Sequence, residues 1–329
     1  PALDVAKETL AVLGEKQFDV VAADFMMIGS LIAAEAIGVK RVALFHMPEY
    51  LPGPGRPPGG MGLLPSSSRL GVMRDKLLTK VFHRVINQYL PALNTVREAF
   101  SLPLYSSFPD IYHQADLRLI QTSKAFDAPI TPAPANVRYV GPVLDDPAWS
   151  NSEYELWPKE DQRPLVVVSL SSTFQNQLSV LKQIIASVAG MPLRCLVTLG
   201  PAMSKEAFES PENVILLPSI PHNYIFPEAD AVVTHAGHGT VMRALAHGIP
   251  LVCMPMGRDQ IDNAALVAHH GAGLKLRSNA KFSQIRKAIK RVLDEPSFTK
   301  GAKALQKKIL VDAKAELGVS QLEELAAES

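Results

Sequence analysis

The chain has 329 residues, 47% hydrophobic and 20% charged, with 33 Lys and Arg set against 32 Asp and Glu. That length exceeds one ordinary core and predicts two domains of α/β size. A net charge of +1, with no Lys/Arg stripe interleaved with aromatics, argues against a nucleic-acid partner. No apolar stretch is long enough to span a bilayer, and no signal peptide opens the chain, so the expected location is cytoplasmic. Cys195 and Cys253 lie far apart in apolar runs, which predicts buried thiols in a reducing compartment and no disulfide framework.

In chain order, Ala2 to Leu13 reads as a helix, Phe18 to Ala23 as a buried strand, Phe25 to Ile37 as a helix and Arg41 to Phe45 as a strand. This βαβ rhythm predicts a parallel sheet. Pro48 to Pro65 is dense in Pro and Gly and predicts a long loop, a feature of functional or disordered segments. Arg69 to Phe100 resumes helical periodicity, and Leu117 to Gln121 reads as another strand. Pro, acidic residues and two Trp then mark a linker over 146–164. Beyond it, strands are predicted at 165–170, 194–199, 213–217, 231–234 and 251–254, with helices between them. The tail from Ser297 to Leu325 predicts one or two amphipathic surface helices. The domains are therefore 1–145, 165–296 and a carboxyl-terminal helical piece, 297–329.

Ala229 to Asn263 is the most informative run. The strand at Ala231 to Thr234 is followed by His235-Ala-Gly237-His238-Gly239-Thr240, a glycine turn that opens an apolar helix. Gly248 and Pro250 stop that helix. Leu251 to Met254 is the next strand, and Asp259-Gln260 follows on its carboxyl-end loop. A glycine turn entering a helix presents backbone N–H groups and the positive end of the helix dipole, which suits a diphosphate. Such donors stabilise the charge that develops when a sugar leaves a diphosphate. A tight turn with Thr240 as a mere cap is the competing reading. Asp259 and Gln260 offer a carboxylate and an amide for paired bonds to sugar hydroxyls, or else cap the following helix. Ser171-Ser172-Thr173 forms a second hydroxyl-rich turn, equally consistent with a generic Ser/Thr turn. The His spacing gives no metal site, and no acidic DxD-type pair stands out for a divalent ion.

HxGxGT, GxP and PxxxDQxxNA, in that order, resemble the donor-binding signature of GT-B nucleotide-sugar glycosyltransferases. The resemblance is to the macrolide and antibiotic branch of the UDP-glycosyltransferase family, and it extends through VVVSLSSTFQ and NVRYVGPV. It implies two Rossmann-like domains with parallel sheets facing a crevice. The amino-terminal domain would lack its first strand–turn–helix, where the family carries its catalytic His, and the tail would cross back onto that domain. It implies donor contacts from Ser172, Thr173, Ile220, His222, His235, Gly237, His238, Gly239, Thr240, Asp259 and Gln260. Ser219 and His222 stand where many relatives have Trp and Gln, and Arg243 where many have Glu. These departures leave a UDP-sugar and a TDP-sugar both open.

The resemblance also places Asp24 near the Asp that orients a catalytic His, although an N-cap role fits Asp24 equally. His46, after the strand 41–45, is the best general-base candidate in these residues. Phe45, Met47, Leu63, Leu64, Met73 and Phe82 are candidate walls for a hydrophobic acceptor, with core packing as the alternative. The expected activity is inverting, metal-independent and cofactor-free sugar transfer to a macrolide, polyketide, flavonoid or other phenolic. The alternatives are a donor-binding chain that needs a complementary amino-terminal fragment and a nucleotide-sugar epimerase of the same fold.

Overall fold

A computed structural model of the chain describes residues 2–128, 133–146, 154, 156–158, 160–171, 177–201 and 203–328. The chain forms two compact units, Pro1–Pro142 with Asp312–Ser329, and Val143–Val311.

In the first unit, α1 (Ala2–Glu15), β1 (Val20–Asp24), α2 (Ile28–Ala36) and β2 (Lys40–Phe45) follow one another. After the Pro/Gly loop come α3 (Arg69–Ile86), α4 (Leu90–Ala99), α5 (Asp110–His113), β3 (Leu117–Ile120) and β4 (Val137–Tyr139). The four strands form a parallel sheet in the order β1-β2-β3-β4. One boundary and one strand depart most clearly from the sequence reading. α2 begins at Ile28 rather than Phe25, because Asp24 Oδ1 accepts from the Met26 N–H at 2.9 Å and the Asp24 carbonyl accepts from Met27 at 2.8 Å. Those bonds fold residues 24–27 into a turn. β4 was not anticipated, since three residues carry too little periodicity to read.

Residues 48–65 hold no helix or strand, only an isolated bridge between Gly53 and Arg56. The loop is nevertheless pinned. Arg56 donates to Asp127 Oδ1 at 2.8 Å, Tyr139 donates to Asp127 Oδ2 at 2.8 Å, and the Glu49 N–H donates there too at 2.9 Å. A buried carboxylate satisfied by several donors fixes a loop that has no secondary structure of its own.

The second unit contains β5 (Leu165–Ser169), α6 (Leu178–Val188), β6 (Arg194–Thr198), β7 (Val214–Leu217), α7 (His222–Ile225), β8 (Ala231–Thr234), α8 (His238–Ala246), β9 (Leu251–Cys253), α9 (Gln260–His269), β10 (Gly273–Lys275) and α10 (Phe282–Asp294). Its parallel sheet has the order β10-β9-β8-β5-β6-β7. β5, β8 and β9 are buried at every residue, which is why they read as unbroken apolar runs. β10 was missed because it is three residues long and begins with Gly273. The tail forms α11 (Pro296–Lys314) and α12 (Leu317–Ala327). Leu325 of α12 belongs to a core cluster with Val42, Leu119 and Val140 of the first unit. Cys195 and Cys253 are both buried and free. Among the described residues no helix is long and apolar enough to cross a membrane.

Candidate functional site

In the second sheet the chain winds outward from β5 to β6 and β7 on one side, and to β8, β9 and β10 on the other. The reversal between β5 and β8 opens a crevice at the strand carboxyl ends, the usual ligand position in such sheets. A pocket of about 410 Å³ lies there. Ser169 to Ser171 after β5, Thr198 at the end of β6, Pro218 to His222 after β7, and the turn after β8 all line it.

That turn is built by side chains behind it. Ala236, not a glycine, takes the left-handed conformation, with φ +67°, which costs a residue bearing a Cβ about 1 kcal/mol. Thr234 Oγ1 accepts from the Ala236 N–H at 3.2 Å, and Asn263 Nδ2 donates to the Ala236 carbonyl at 3.0 Å. Gly237 is the N-cap of α8 and has no side chain with which to cap the first turn. The electropositive helix end is thereby directed at the pocket. Close approach rather than φ constrains these glycines, Gly237 far more tightly than Gly239. A Cβ on Gly237 would sit 2.5 Å from His235 Nε2, and one on Gly239 would sit 3.0 Å from an Arg243 guanidinium nitrogen.

His235 is 7% exposed. Burial drives its imidazole down to about 4, against a weaker opposing hydrogen bond at the Ser169 backbone. His222 is held the same way: burial, aided by Arg243, drives it down to about 4. Its ring stacks on Phe226 with centroids 4.4 Å apart, and its Nε2 lies 3.1 Å from Ser169 Oγ. Both imidazoles are therefore neutral at pH 7. Arg243 donates to the carbonyls of Leu144 and Asp145, at 3.3 and 2.6 Å, and lies 3.7 Å from Asp146 Oδ1. The guanidinium thus anchors residues 144–146 at the pocket edge.

The residues expected at the donor site are placed unequally. Ile220, His222, His235, Gly237, His238, Gly239 and Thr240 all line the pocket. Ser172 and Thr173 lie outside the described residues. Asp259 and Gln260 stand at the amino end of α9. Asp259 Oδ2 accepts from Asn263 Nδ2 at 2.7 Å, so the side chain bonds along the helix and makes no cap bond. Gln260 is 2% exposed, and its Oε1 accepts from the N–H groups of Met256 and Gly257 at 2.8 and 3.2 Å. That oxygen holds the loop, so Asp259 and Gln260 sit in different surroundings: one carboxylate bonds to its own helix and the amide oxygen bonds to the preceding loop. Sequence reasoning passed over Ala236 and Asn263; the Asn-Ala step after DQ was quoted only as part of the signature.

In the first unit, Asp24 ends β1 and His46 follows β2. Register pairs Asp24 with Leu44, so the two side chains leave neighbouring strand ends. His46 Nδ1 lies 2.8 Å from Asp24 Oδ2. The His46 ring is 5.6 Å from that of Phe25. His46 and Asp24 are both well exposed, at 57% and 38% of their side-chain surface. Asp24 serves the local turn with one oxygen and the imidazole with the other.

The acceptor-wall set does not come together. Phe45 is 1% exposed and stacks on Phe25 at 5.0 Å, with Tyr112 edge-on at 5.3 Å; Met47 is 7% exposed. Phe45 and Met47 are buried, and Phe45 belongs to the core of this unit. Met73 and Phe82 are nine residues apart on α3 and so occupy opposite faces. Met73 is exposed, whereas Phe82 packs edge-on against Tyr50. Leu63 and Leu64 are half-buried in the Pro/Gly loop. Among the described residues no three His, Cys, Asp or Glu side chains gather as a metal site.

A family profile described as "UDP-glucoronosyl and UDP-glucosyl transferase" matches residues 3–309. The 4'-demethylrebeccamycin synthase of Lentzea aerocolonigenes is 32% identical over 310 residues, covering 91% of this chain and 72% of its own length. UDP-glycosyltransferase 2 of Phaeomoniella chlamydospora is 28% identical over 295 residues, 82% of this chain and 62% of its own. This chain thus spans less than two thirds of that second relative. Among solved structures, the glycosyltransferase of kitacinnamycin superposes with TM-score 0.78 over 98% of this chain and 80% of its own, at 18% identity. VinC in complex with DTDP gives 0.69 over 98% and 76%, at 19% identity. At those identities the superpositions speak for the fold, two parallel-sheet α/β domains of GT-B type, while the profile match spans nearly the whole chain. The chain belongs to the UDP-glucuronosyl and UDP-glucosyl transferase family and is a glycosyltransferase.

Proposed function

We propose that the chain transfers a sugar, with inversion and without a metal, from a nucleoside diphosphate to a hydroxyl of a small hydrophobic natural product. The observation that carries this is the pocket at the β5/β8 reversal, lined by the α8 amino end, the buried His235 and the half-buried His222, both imidazoles neutral at pH 7. The acceptor oxygen attacks the anomeric carbon as the bond from that carbon to the diphosphate oxygen breaks. Negative charge appears on the departing diphosphate, where the helix end and backbone N–H groups of residues 237–240 stabilise it. Preorganised dipoles of this kind do the work that a divalent cation does elsewhere.

The acceptor proton goes to His46 Nε2. Asp24 Oδ2 accepts from Nδ1–H, which fixes the tautomer and steadies the imidazolium that forms. The names 4'-demethylrebeccamycin synthase and aklavinone 7-beta-L-rhodosaminyltransferase among the relatives support a small natural-product acceptor. Asp259, at the amino end of α9, is assigned to the sugar hydroxyls. The buried free cysteines, both pushed up to about 12 by burial, favour a reducing cytoplasmic setting.

Incubation with UDP- and TDP-sugars and one phenolic acceptor, read by mass spectrometry, tests the reaction. NMR of the product anomer tests inversion, and turnover in EDTA tests metal independence. A product that retains the donor anomer, or activity abolished by EDTA, overturns those parts of the reading. A second reading rests on β1, which among the described residues pairs only with β2 and keeps Ala22 exposed. An unpaired edge accepts a further strand, so a complementary amino-terminal fragment would complete the sheet. Donor binding without turnover, rescued by adding such a fragment, would favour it.

A further inference from the structure

Asn263 is 0% exposed, yet its side chain makes no bond that its own helix needs for closure. One amide proton goes to the Ala236 carbonyl at 3.0 Å and the other to Asp259 Oδ2 at 2.7 Å. Both partners are acceptors, so the position requires two donors on one short planar group. Asp would set a carboxylate against a carboxylate, Ser supplies one proton, and Leu none. The side-chain oxygen is buried with no hydrogen-bond partner. An orphaned buried acceptor is unfavourable, so local stability alone does not account for an Asn here. What the amide gains is a tie between two loops that follow different strands, β8 and β9. Ala236 is the residue in that tie whose conformation needs external support, with φ +67° and a Cβ.

We propose that Asn263 is a positioning residue for the donor site. It holds the left-handed Ala236 turn and links it to Asp259, so that the diphosphate cradle and the sugar-side carboxylate are set as one unit. This rests on the reading of 235–240 as a diphosphate site. It follows that removing the amide weakens binding of the diphosphate, although Asn263 does not line the pocket. It follows also that the defect depends on the Cβ at position 236. Glycine adopts the left-handed conformation without strain, so it frees the turn from its need for Asn263.

The test is calorimetric titration of the full chain with UDP, TDP, UDP-glucose and TDP-glucose, with thermal melts of each variant. Expected are a loss of at least tenfold in nucleotide affinity for Asn263→Ala, and a larger loss for Asn263→Asp. In an Ala236→Gly background the Asn263→Ala loss shrinks to threefold or less, even though the melting temperature stays lowered. A merely structural Asn263 would lower stability and affinity equally in both backgrounds, and that result overturns the proposal. If Asn263→Ala does not fold, Asn263→Ser, which keeps one donor, is read in the same two backgrounds with the same criteria. Wild-type binding with unaltered variants overturns the proposal alone. Wild type that binds none of the four ligands overturns it together with the donor reading.

Discussion

The two regions proposed to carry the chemistry of this chain are built on opposite plans. The β8–α8 turn in the second unit is dry: Thr234, Ala236 and Asn263 are fully buried, His235 nearly so, and the imidazole is neutral at pH 7. The pair in the first unit, Asp24 at the end of β1 and His46 after β2, is open, with both side chains well exposed. The contrast matches what each end of a group transfer requires. A leaving diphosphate is stabilised by fixed dipoles in a place with little water. A proton acceptor for an incoming hydroxyl has to be reachable and able to change charge.

The contrast breaks first, and by the largest factor, at His46. His46→Ala is expected to reduce kcat by about 10² to 10⁴ and to leave nucleotide affinity unchanged by calorimetry. Asp24→Asn should cost less, since the ring survives but loses its charged partner. Loss of nucleotide binding in either variant would show that the open pair serves the donor instead.

A second test uses acid. His235 and His222 ionise at about 4 when folded, against 6.5 as the ordinary value. Between those values the unfolded chain takes up protons that the folded chain refuses, so stability is full above pH 6.5 and falls as the pH drops toward 4. Each imidazole contributes about 2 to 3 kcal/mol to that fall. The difference in melting temperature between wild type and His222→Gln/His235→Gln measures it, and a difference that does not change between pH 7 and 4.5 would break the dry-turn account.

Gly237→Ala comes next. Its methyl drives into the His235 ring, an overpacking cost of about 1 to 3 kcal/mol, and nucleotide affinity should fall about 10- to 100-fold. The smallest effect belongs to Arg243→Ala, which frees the carbonyls of residues 144 and 145 and should weaken nucleotide binding only a few-fold, about 1 kcal/mol. A loss for Arg243→Ala as large as that for Gly237→Ala would mean the guanidinium meets the ligand directly.

The sequence alone determined much of this molecule, because its strongest signals are local. Unbroken apolar runs identified β5, β8 and β9, since a strand covered on both faces has no polar side to show. The glycines at 237 and 239, the stop at Gly248 and the βαβ rhythm located a diphosphate-type turn at a strand carboxyl end. Asp24 and His46 were each legible as candidates from their place after a strand.

Tertiary structure decided what depends on register, packing and distant partners. That Asp24 and His46 bond to each other follows from the pairing of β1 with β2, 22 residues apart in the chain. That Phe45 and Met47 are buried follows from packing against neighbouring elements, as Phe25 and Tyr112 pack on Phe45, and no period in the sequence reveals it. Gln260 turned inward to hold its own loop, and Ala236 took the left-handed conformation that a reader assigns to glycine. The Gln260 bonds run to residues three and four positions before it, whereas Ala236 is held by Asn263, 27 residues further on, once β8 and β9 lie side by side. Residue types announce what chemistry a segment supports, but partners far along the chain decide which polar atoms remain free to perform it.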